Sequence, residues 1–509
     1  MNKITVISDN DSDIRVIKDL LRVYYPKIKD VEDSGDINNS FLISVEEIRR
    51  ENMKVERDII IKIDGKDVEQ EVEISFIVNG RKYKQVETLE KERFNEEKSN
   101  RGRRLLRLAV HKNIGKILNV VPSPWGILTG VRPTKIVHRL LDEGFQEEKI
   151  AKHMTRDFGM SPNRAKLLTR VAVFQHPLLL KQEKTKKLMS IYIGIPFCPT
   201  RCHYCSFPSF SLEKQGNMLE DYLCNLHREI KEVGQYLLGT GIKIQSVYVG
   251  GGTPTVLSSF QLDELLSLVE KNFSFSCKKE LTVEGGRPDT ISYEKLLVLK
   301  EHQVDRLSIN PQTMREETLV AIGRKHTVKE VYNAYEMARK VGFPVINMDL
   351  IIGLPGENCA IVKQSLKDIL RFKPENITLH ALAKKRAAYY CQEKISLPFS
   401  DEGLAMLDLA HEILPNEGYI PYYLYRQKEI FAHGENVGYA LTGKECLYNI
   451  QMIEERQTVL GFGVGSGSKF VNREDMTLEN VYNPKDLIFY RDRIEEIIKK
   501  KVDKLQTVI

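Results

Sequence analysis

A parallel α/β domain is the fold class this sequence predicts, and two observations predict it, while the composition excludes disorder. Between residues 189 and 379, short apolar strand candidates alternate with amphipathic helical stretches six times. The motifs able to carry chemistry fall at the C-terminal ends of those strands, where parallel sheets place their sites. The composition, 42% hydrophobic and 29% charged, is that of an ordinary globular protein.

Length and charge narrow the field further. At 509 residues, roughly two to four domains are expected. The 76 basic and 70 acidic residues leave a net charge of +6. That is too mild to imply a nucleic-acid partner. No apolar run approaches the ~20 residues that cross a bilayer, so no membrane span is expected. The N-terminus carries acidic residues where a signal peptide would carry its apolar core. Eight cysteines are too few for a disulfide scaffold, so a reducing cytoplasm is the expected compartment.

In chain order, residues 1–120 read as an α+β domain. Ile59, Ile60, Ile61 and Ile63 mark one strand; Val72, Ile74, Phe76 and Val78 mark a second with period two. Asp64-Gly65 and Asn79-Gly80 are turn signals. From about Leu89 a charged helix follows, and Arg101, Arg103, Arg104 and Arg107 read as its solvated face. Residues 121–188 read as a helical connector. Pro122 to Gly126 interrupts the helical pattern, and 133–175 resumes it with Ile136, Val137, Leu140 and Leu141 on one face. The lysine-rich 181–187 is a linker candidate.

Residues 189–400 hold the alternation. The strand candidates are 190–195, 246–249, 280–284, 306–309, 345–352 and 376–379, with helices such as 216–238, 261–272 and 328–341 between them. Residues 401–509 carry helices at 401–416 and 481–500 around a glycine-rich strand-like segment at 459–468.

The chemistry begins immediately after the first of these strands. Cys198, Cys202 and Cys205 are spaced CxxxCxxC. Cys224, Cys277, Cys359, Cys391 and Cys446 are solitary, and packing roles are expected for them. A zinc site normally takes four protein ligands, and no second cysteine pair exists. Three thiolates on one loop suit an iron–sulfur cube, binding three of its irons and leaving the fourth open. Structural cysteines, or a zinc site completed by His203, are the other readings of the same residues.

This loop resembles that of the radical S-adenosylmethionine (radical SAM) superfamily. The preceding Ile195-Pro196-Phe197-Cys198, the aromatic Tyr204 and the later Gly250-Gly251-Gly252-Thr253-Pro254-Thr255 are similar to its coproporphyrinogen III oxidase branch. That branch includes a heme chaperone and a heme-opening methyltransferase. The stretch PSPWGILTGVRPTK (122–135) resembles the HemZ subgroup. The resemblance implies a partial (β/α)6 radical SAM barrel with an N-terminal α+β domain and a C-terminal α+β extension that covers the substrate. It implies a [4Fe–4S] cluster on Cys198, Cys202 and Cys205, with S-adenosylmethionine (SAM) on the fourth iron.

The remaining site residues follow from the resemblance, and each has a physical reading. Gly251, Gly252 and Thr253 would bind the methionine part of SAM; glycines there let a backbone approach closely. Glu284, a carboxylate at a buried strand end, needs a donor partner. Gln312, Arg324 and Asp349 are placed around SAM, and Arg324 suits a carboxylate in bidentate fashion. Ala381 is placed near the adenine. Tyr192 and Tyr204 would flank the cluster and cofactor. Arg287, set further toward solvent, is a candidate for a substrate carboxylate. Lys384, Arg386 and Arg426 are candidates to complement propionates, which are ionised at neutral pH.

The implied activity is oxygen-independent oxidative decarboxylation of coproporphyrinogen III propionates to vinyl groups by a SAM-derived 5′-deoxyadenosyl radical. The implied partners are a tetrapyrrole substrate and a low-potential electron donor, with the protein a monomer. An open iron implies oxygen-poor cytoplasm. A heme-binding chaperone, a radical methyltransferase acting on heme and an RNA-modifying enzyme are the alternatives. One departure from the dehydrogenase pattern stands out: Phe207 occupies the place of a further cysteine.

Overall fold

The structure, a computed structural model, describes residues 2–7, 15–17, 19–21, 29–31, 40–45, 58–64, 71–78, 81–88, 98–118, 121–130, 132–180, 184, 187–205, 207–383, 400–427, 430–472 and 474–509. The chain divides into two compact units: Met1–Arg170 with Arg426–Gly434, and Val171–Tyr425 with Glu435–Ile509.

The first unit holds a six-stranded sheet. Its strands are β1 (Asn2–Ile7), β2 (Lys29–Val31), β3 (Ser40–Val45), β4 (Asp58–Asp64), β5 (Glu71–Val78) and β6 (Arg81–Thr88), in the order β2-β3-β1-β4-β5-β6. The isoleucine run and the alternating run expected as strands are β4 and β5, paired antiparallel with Ile59 opposite Val78. Strand β6 was not expected, because Arg81–Thr88 is mostly polar. Its partner is set by a two-residue connection that puts Val78 opposite Arg81.

The charged stretch forms the helix Lys98–Leu118. Its arginines do not all face solvent. Arg103 is exposed, but Arg104 is buried with its guanidinium 5.3 Å from the centre of the Phe158 ring. An aromatic face accepts a weakly hydrated guanidinium, which corrects the reading of that residue. Three helices, Thr134–Asp142, Glu147–Phe158 and Pro162–Gln175, replace the continuous helical pattern expected there. Trp125 is fully buried. Arg426 lies 5.0 Å over the Trp125 ring and donates to the Leu128 carbonyl at 2.5 Å. It is buried, so it joins a core rather than an exposed basic rim. The linker candidate 181–187 falls mostly outside the described residues, as do Lys384, Arg386 and Cys391.

The second unit is built on an eleven-stranded sheet. Six strands pair in parallel: β7 (Leu188–Ile195), β10 (Lys243–Gly251), β11 (Glu280–Glu284), β12 (Arg306–Ser308), β13 (Val345–Ile352) and β14 (Asn376–Ala381). The short β8 (Phe197–Cys198) and β9 (Phe210–Ser211) form a pair of their own. The six are apolar because helices cover a parallel sheet. Ile191, Ile193, Ile195, Val247, Val283 and Leu307 are all fully buried. The crossover helices start on strong caps. Ser258 with Gln261, and Thr327 with Glu330, each form a reciprocal capping box.

The C-terminal residues extend this sheet on both sides. Strand β16 (Asn436–Ala440) adds antiparallel to β14, and β15 (Ile420–Tyr425) adds beyond it. Strand β17 (Thr458–Phe462) adds parallel to β7, followed by β18 (Gly467–Val471) and β19 (Leu478–Tyr482). The glycine-rich segment is therefore two strands and a turn. The helix expected at 481–500 instead starts after β19, as Leu487–Asp492 and Ile494–Val508. The solitary cysteines also differ from expectation. Cys446 is buried and its thiol donates to Glu280 at 3.3 Å, whereas Cys224 is exposed on the helix Leu219–Leu238. Among the described residues no helix is long and apolar enough to cross a membrane.

Candidate functional site

The cysteine loop leaves β7 at Ile195 and is held by its own backbone. The Phe210 amide donates to Pro196 O at 2.7 Å, and the Cys205 amide to Cys202 O at 3.1 Å. Parallel pairing of β7 and β10 brings the glycine loop beside it. The amides of Gly252 and Thr253 donate to the carbonyls of Ile195 and Phe197, both at 2.8 Å. The Thr253 hydroxyl then reaches the Cys198 sulfur at 3.4 Å. A Cβ on Gly252 would stand 2.6 Å from Phe197 O and 3.0 Å from Cys198 Sγ, so only glycine fits that approach.

Burial pushes the Cys198 thiol up to about 11, while the Thr253 hydroxyl pulls the other way and the neighbouring Cys202 and Cys205 add to the rise. Burial also raises the Cys205 thiol. Such thiols stay protonated until a metal displaces the proton. The three thiols share one loop, and among the described residues no three His, Cys, Asp or Glu side chains close on a single ion-sized point. His203 is engaged elsewhere: its amide donates to Ile322 O, and its Nδ1 lies 3.0 Å from Ala321 O.

Further into the unit the strand ends present acceptors. Tyr248 donates to Glu284 at 2.5 Å. Burial pushes the Glu284 carboxyl up to about 7, against the pull of Tyr248, and the nearby Asp349 raises it further. Asp349 accepts from Asn347 at 2.7 Å and faces the His380 imidazole at 3.6 Å. Burial lowers the His380 pKa, but the Asp349 hydrogen bond and charge outweigh it, so the imidazole titrates above its ordinary value. Ala381 follows, buried at the end of β14. Tyr192, Tyr248 and Tyr448 stack, with Tyr248 and Tyr448 centroids 4.7 Å apart.

Gln312 has a left-handed backbone, φ 69°, fixed by bonds to both sides of Asp349: its amide donates to Asp349 O and its carbonyl accepts from Ile351. Its Oε1, and the Oδ1 of Asn310, are buried without a hydrogen-bond partner. Buried acceptors of this kind are costly unless a ligand donates to them. Arg324, 6% exposed, donates to Gly286 O at 3.3 Å and to Asn310 O, and lies against the Cys202 thiol and Tyr204. Arg287 is 2% exposed rather than set into solvent, and its guanidinium pairs with Asp289 at 3.0 Å.

A [4Fe–4S] cluster and SAM fit these residues. The donor set is three thiols, the glycines let the two loops pack closely beside them, and the orphaned acceptors of Asn310 and Gln312 await donors such as an ammonium or ribose hydroxyls. Tyr192, Tyr204, Gly251, Gly252, Thr253, Glu284, Gln312, Arg324, Asp349 and Ala381 all lie in the second unit, on its parallel strands or in the segments that follow them. Sequence reasoning missed Tyr248 and Asn310 as members of this site, and His380 as the partner of Asp349. Each had a signal: Tyr248 is two residues before Gly250 on the same strand, Asn310 lies two before Gln312, and His380 directly precedes Ala381.

Comparison with known proteins agrees with this geometry. Residues 192–369 match the Radical SAM superfamily. The oxygen-independent coproporphyrinogen-III oxidase-like protein HemZ of Bacillus subtilis (strain 168) is 37% identical over 461 residues, covering 89% of this chain and 91% of that protein. The heme chaperone HemW of the same organism is 31% identical, covering 62% of this chain and 81% of its own. Among solved structures, coproporphyrinogen III oxidase (HemN) from Escherichia coli, a radical SAM enzyme, has the same fold, with a TM-score of 0.51 at 24% identity over 64% of this chain and 72% of that one.

Proposed function

The chain belongs to the radical SAM superfamily, in the HemZ-like group of coproporphyrinogen-III oxidase relatives, and on that premise we propose that it oxidatively decarboxylates propionates of coproporphyrinogen III to vinyl groups, forming protoporphyrinogen IX. The superfamily's cofactors are a [4Fe–4S] cluster and SAM. The observation that carries the reading is the seating of the glycine loop on the cysteine loop, Thr253 against Cys198.

Bound together, cluster and SAM supply a carbon radical that abstracts hydrogen. The protein's part is placement. Cys198, Cys202 and Cys205 would hold three irons. Gly251 to Thr253 would face the methionine part of SAM; Gln312, Arg324, Glu284 and Asp349 would meet its polar groups, with Ala381 beside the adenine. The apolar residues around these groups exclude water from a reactive radical. A propionate side chain then loses a hydrogen atom from its β-carbon, carbon dioxide and one electron, which passes to an external acceptor. Lys384 and Arg386 are candidates to meet the remaining propionates. The working state is a monomer in oxygen-poor cytoplasm, served by a low-potential electron donor.

Anaerobically reconstituted protein given SAM, reductant and coproporphyrinogen III should yield vinyl product and 5′-deoxyadenosine. Cys198→Ala, Cys202→Ala and Cys205→Ala should each abolish both. Full activity in any of them would sink the cluster assignment. The likeness to HemW favours a second reading, a heme-binding chaperone. Stoichiometric heme binding with no deoxyadenosine formed would select it.

A further inference from the structure

Two buried guanidiniums stand beside the cysteine loop, and among the described residues one carboxylate, Asp289, pairs with the first of them. Arg287 follows β11 and is 2% exposed. Its Nε and Nη2 donate to the two oxygens of Asp289, at 3.1 and 3.0 Å. Its Nη1 donates to the hydroxyl of Thr200 at 2.9 Å and to the Thr200 carbonyl at 3.4 Å. Thr200 is the middle residue between Cys198 and Cys202, so Arg287 grips the loop between two of its thiols. Arg324 approaches from the other side. It holds Gly286 O, next to Arg287, and lies against the Cys202 thiol. His326 beside them is 2% exposed, and burial together with Arg324 and Arg287 keeps it neutral, with its pKa pushed down to about 3. Of the two cations, Arg287 pairs with Asp289 while Arg324 donates to the carbonyls of Gly286 and Asn310, and a buried charge without its counter-charge is expensive.

We infer that Arg287 is a positioning residue for the cysteine loop and that, with Arg324, it supplies a buried surplus of positive charge that makes the cluster easier to reduce. The inference rests on the cluster assignment above. One-electron reduction of the cube, from the 2+ to the 1+ core, adds negative charge. A nearby cation stabilises the product of that step more than its reactant. Arg287 therefore acts on the cluster through Thr200 and through its field, and does not serve a substrate carboxylate.

The test is a redox titration of the reconstituted full chain without SAM, followed by the electron paramagnetic resonance signal of the reduced cluster. Arg287→Met should shift the potential to more negative values at unchanged iron and sulfide content. Arg287→Lys, which keeps the charge but loses the fork, should restore most of that shift. Asp289→Asn removes the carboxylate paired with Arg287 and should shift the potential the opposite way. A purely structural role predicts no such reversal of sign. Loaded Arg287→Met and Asp289→Asn variants at the wild-type potential would overturn the inference. Should Arg287→Met fail to hold iron, Asp289→Asn decides alone: a positive shift supports the inference, and an unmoved or negative potential overturns it. Wild-type protein that binds no iron or sulfide brings down the cluster assignment itself, a different outcome from a loaded cluster with an unmoved potential.

Discussion

Around Glu229, on the helix Leu219–Leu238, every donor and acceptor is answered. The carboxylate is fully buried and accepts from the Gly463 amide and Asn483 at 2.9 Å, from Tyr490 at 2.6 Å, and from Lys501. Lys501, also fully buried, turns its remaining reach to Gly461 O. Around Arg287 and Arg324, in the same unit, the arithmetic is left open. Arg287 pairs with Asp289, Arg324 donates to two backbone carbonyls, and Arg324 Nε, Asn310 Oδ1 and Gln312 Oε1 are buried without a hydrogen-bond partner. The first network joins the last helix to the glycine turn after β17, one cation to one anion, and is finished by folding. The second is finished only when something anionic and donor-rich arrives. A buried ionic group is stable when its charge and hydrogen bonds are met within the fold. Where they are not met, the deficit points to a ligand.

The largest effect that could break this comparison is in the closed network. Lys501→Met leaves Glu229 buried without its cation, and should cost about 3–5 kcal/mol of unfolding free energy in denaturant titration. Adding Glu229→Gln should recover part of that loss, because the stranded charge is gone. A Lys501→Met cost below about 1 kcal/mol would show that Glu229 does not depend on its cation for burial.

The matching change in the open network should be milder in protein free of iron. Arg324→Met strands the carbonyls of Asn310 and Gly286 but also removes a surplus cation. About 1–3 kcal/mol is expected by the same titration. Iron loading, read by chemical iron and sulfide assay, should fall. Equal costs at Lys501 and Arg324 would erase the distinction between the two networks.

The smallest effect sharpens where the open site begins. Burial raises the Glu284 carboxyl from 4.5 to about 7 in the folded chain. The folded state then holds the proton more tightly than the unfolded one. The stability this group contributes is therefore present below about 4.5, is lost as pH rises to about 7, and is flat beyond. Glu357, raised to about 7 as well by burial, adds a slope of the same sign. Glu284→Gln should flatten part of the decline in unfolding free energy between those pH values and leave the part due to Glu357. An unchanged slope would place Glu284 in contact with water.

How much of this was legible before folding depended on range. The six parallel strands were readable because burial on both faces demands apolar runs, and loops of glycine and proline bound them. Their observed spans differ from the expected ones by a few residues at the ends. The helix 328–341 was met at both ends, since Thr327 caps it and Gly342 closes it. Strands β15 and β16 were not readable. Ile420–Tyr425 is apolar and aromatic, but nothing local says that it pairs beyond β14. Burial of single charged residues was equally hidden. Arg104, Arg287 and Arg426 look like surface arginines in one dimension. Each is buried because a ring or a carboxylate from elsewhere in the chain, or two residues on, meets it.

The sequence by itself determined the parallel α/β core, the cysteine triad and the glycine loop. Those depend on periodicity and on spacing within a few residues, which a chain carries locally. Tertiary structure alone decided that Thr253 meets Cys198, that Glu229 finds Lys501, and that Arg287 turns inward to Thr200 instead of outward to a substrate. Those pairs are separated by 55, 272 and 87 positions. What brings them together is strand order and helix packing, and the free energy of a buried charge is set by what stands next to it in space.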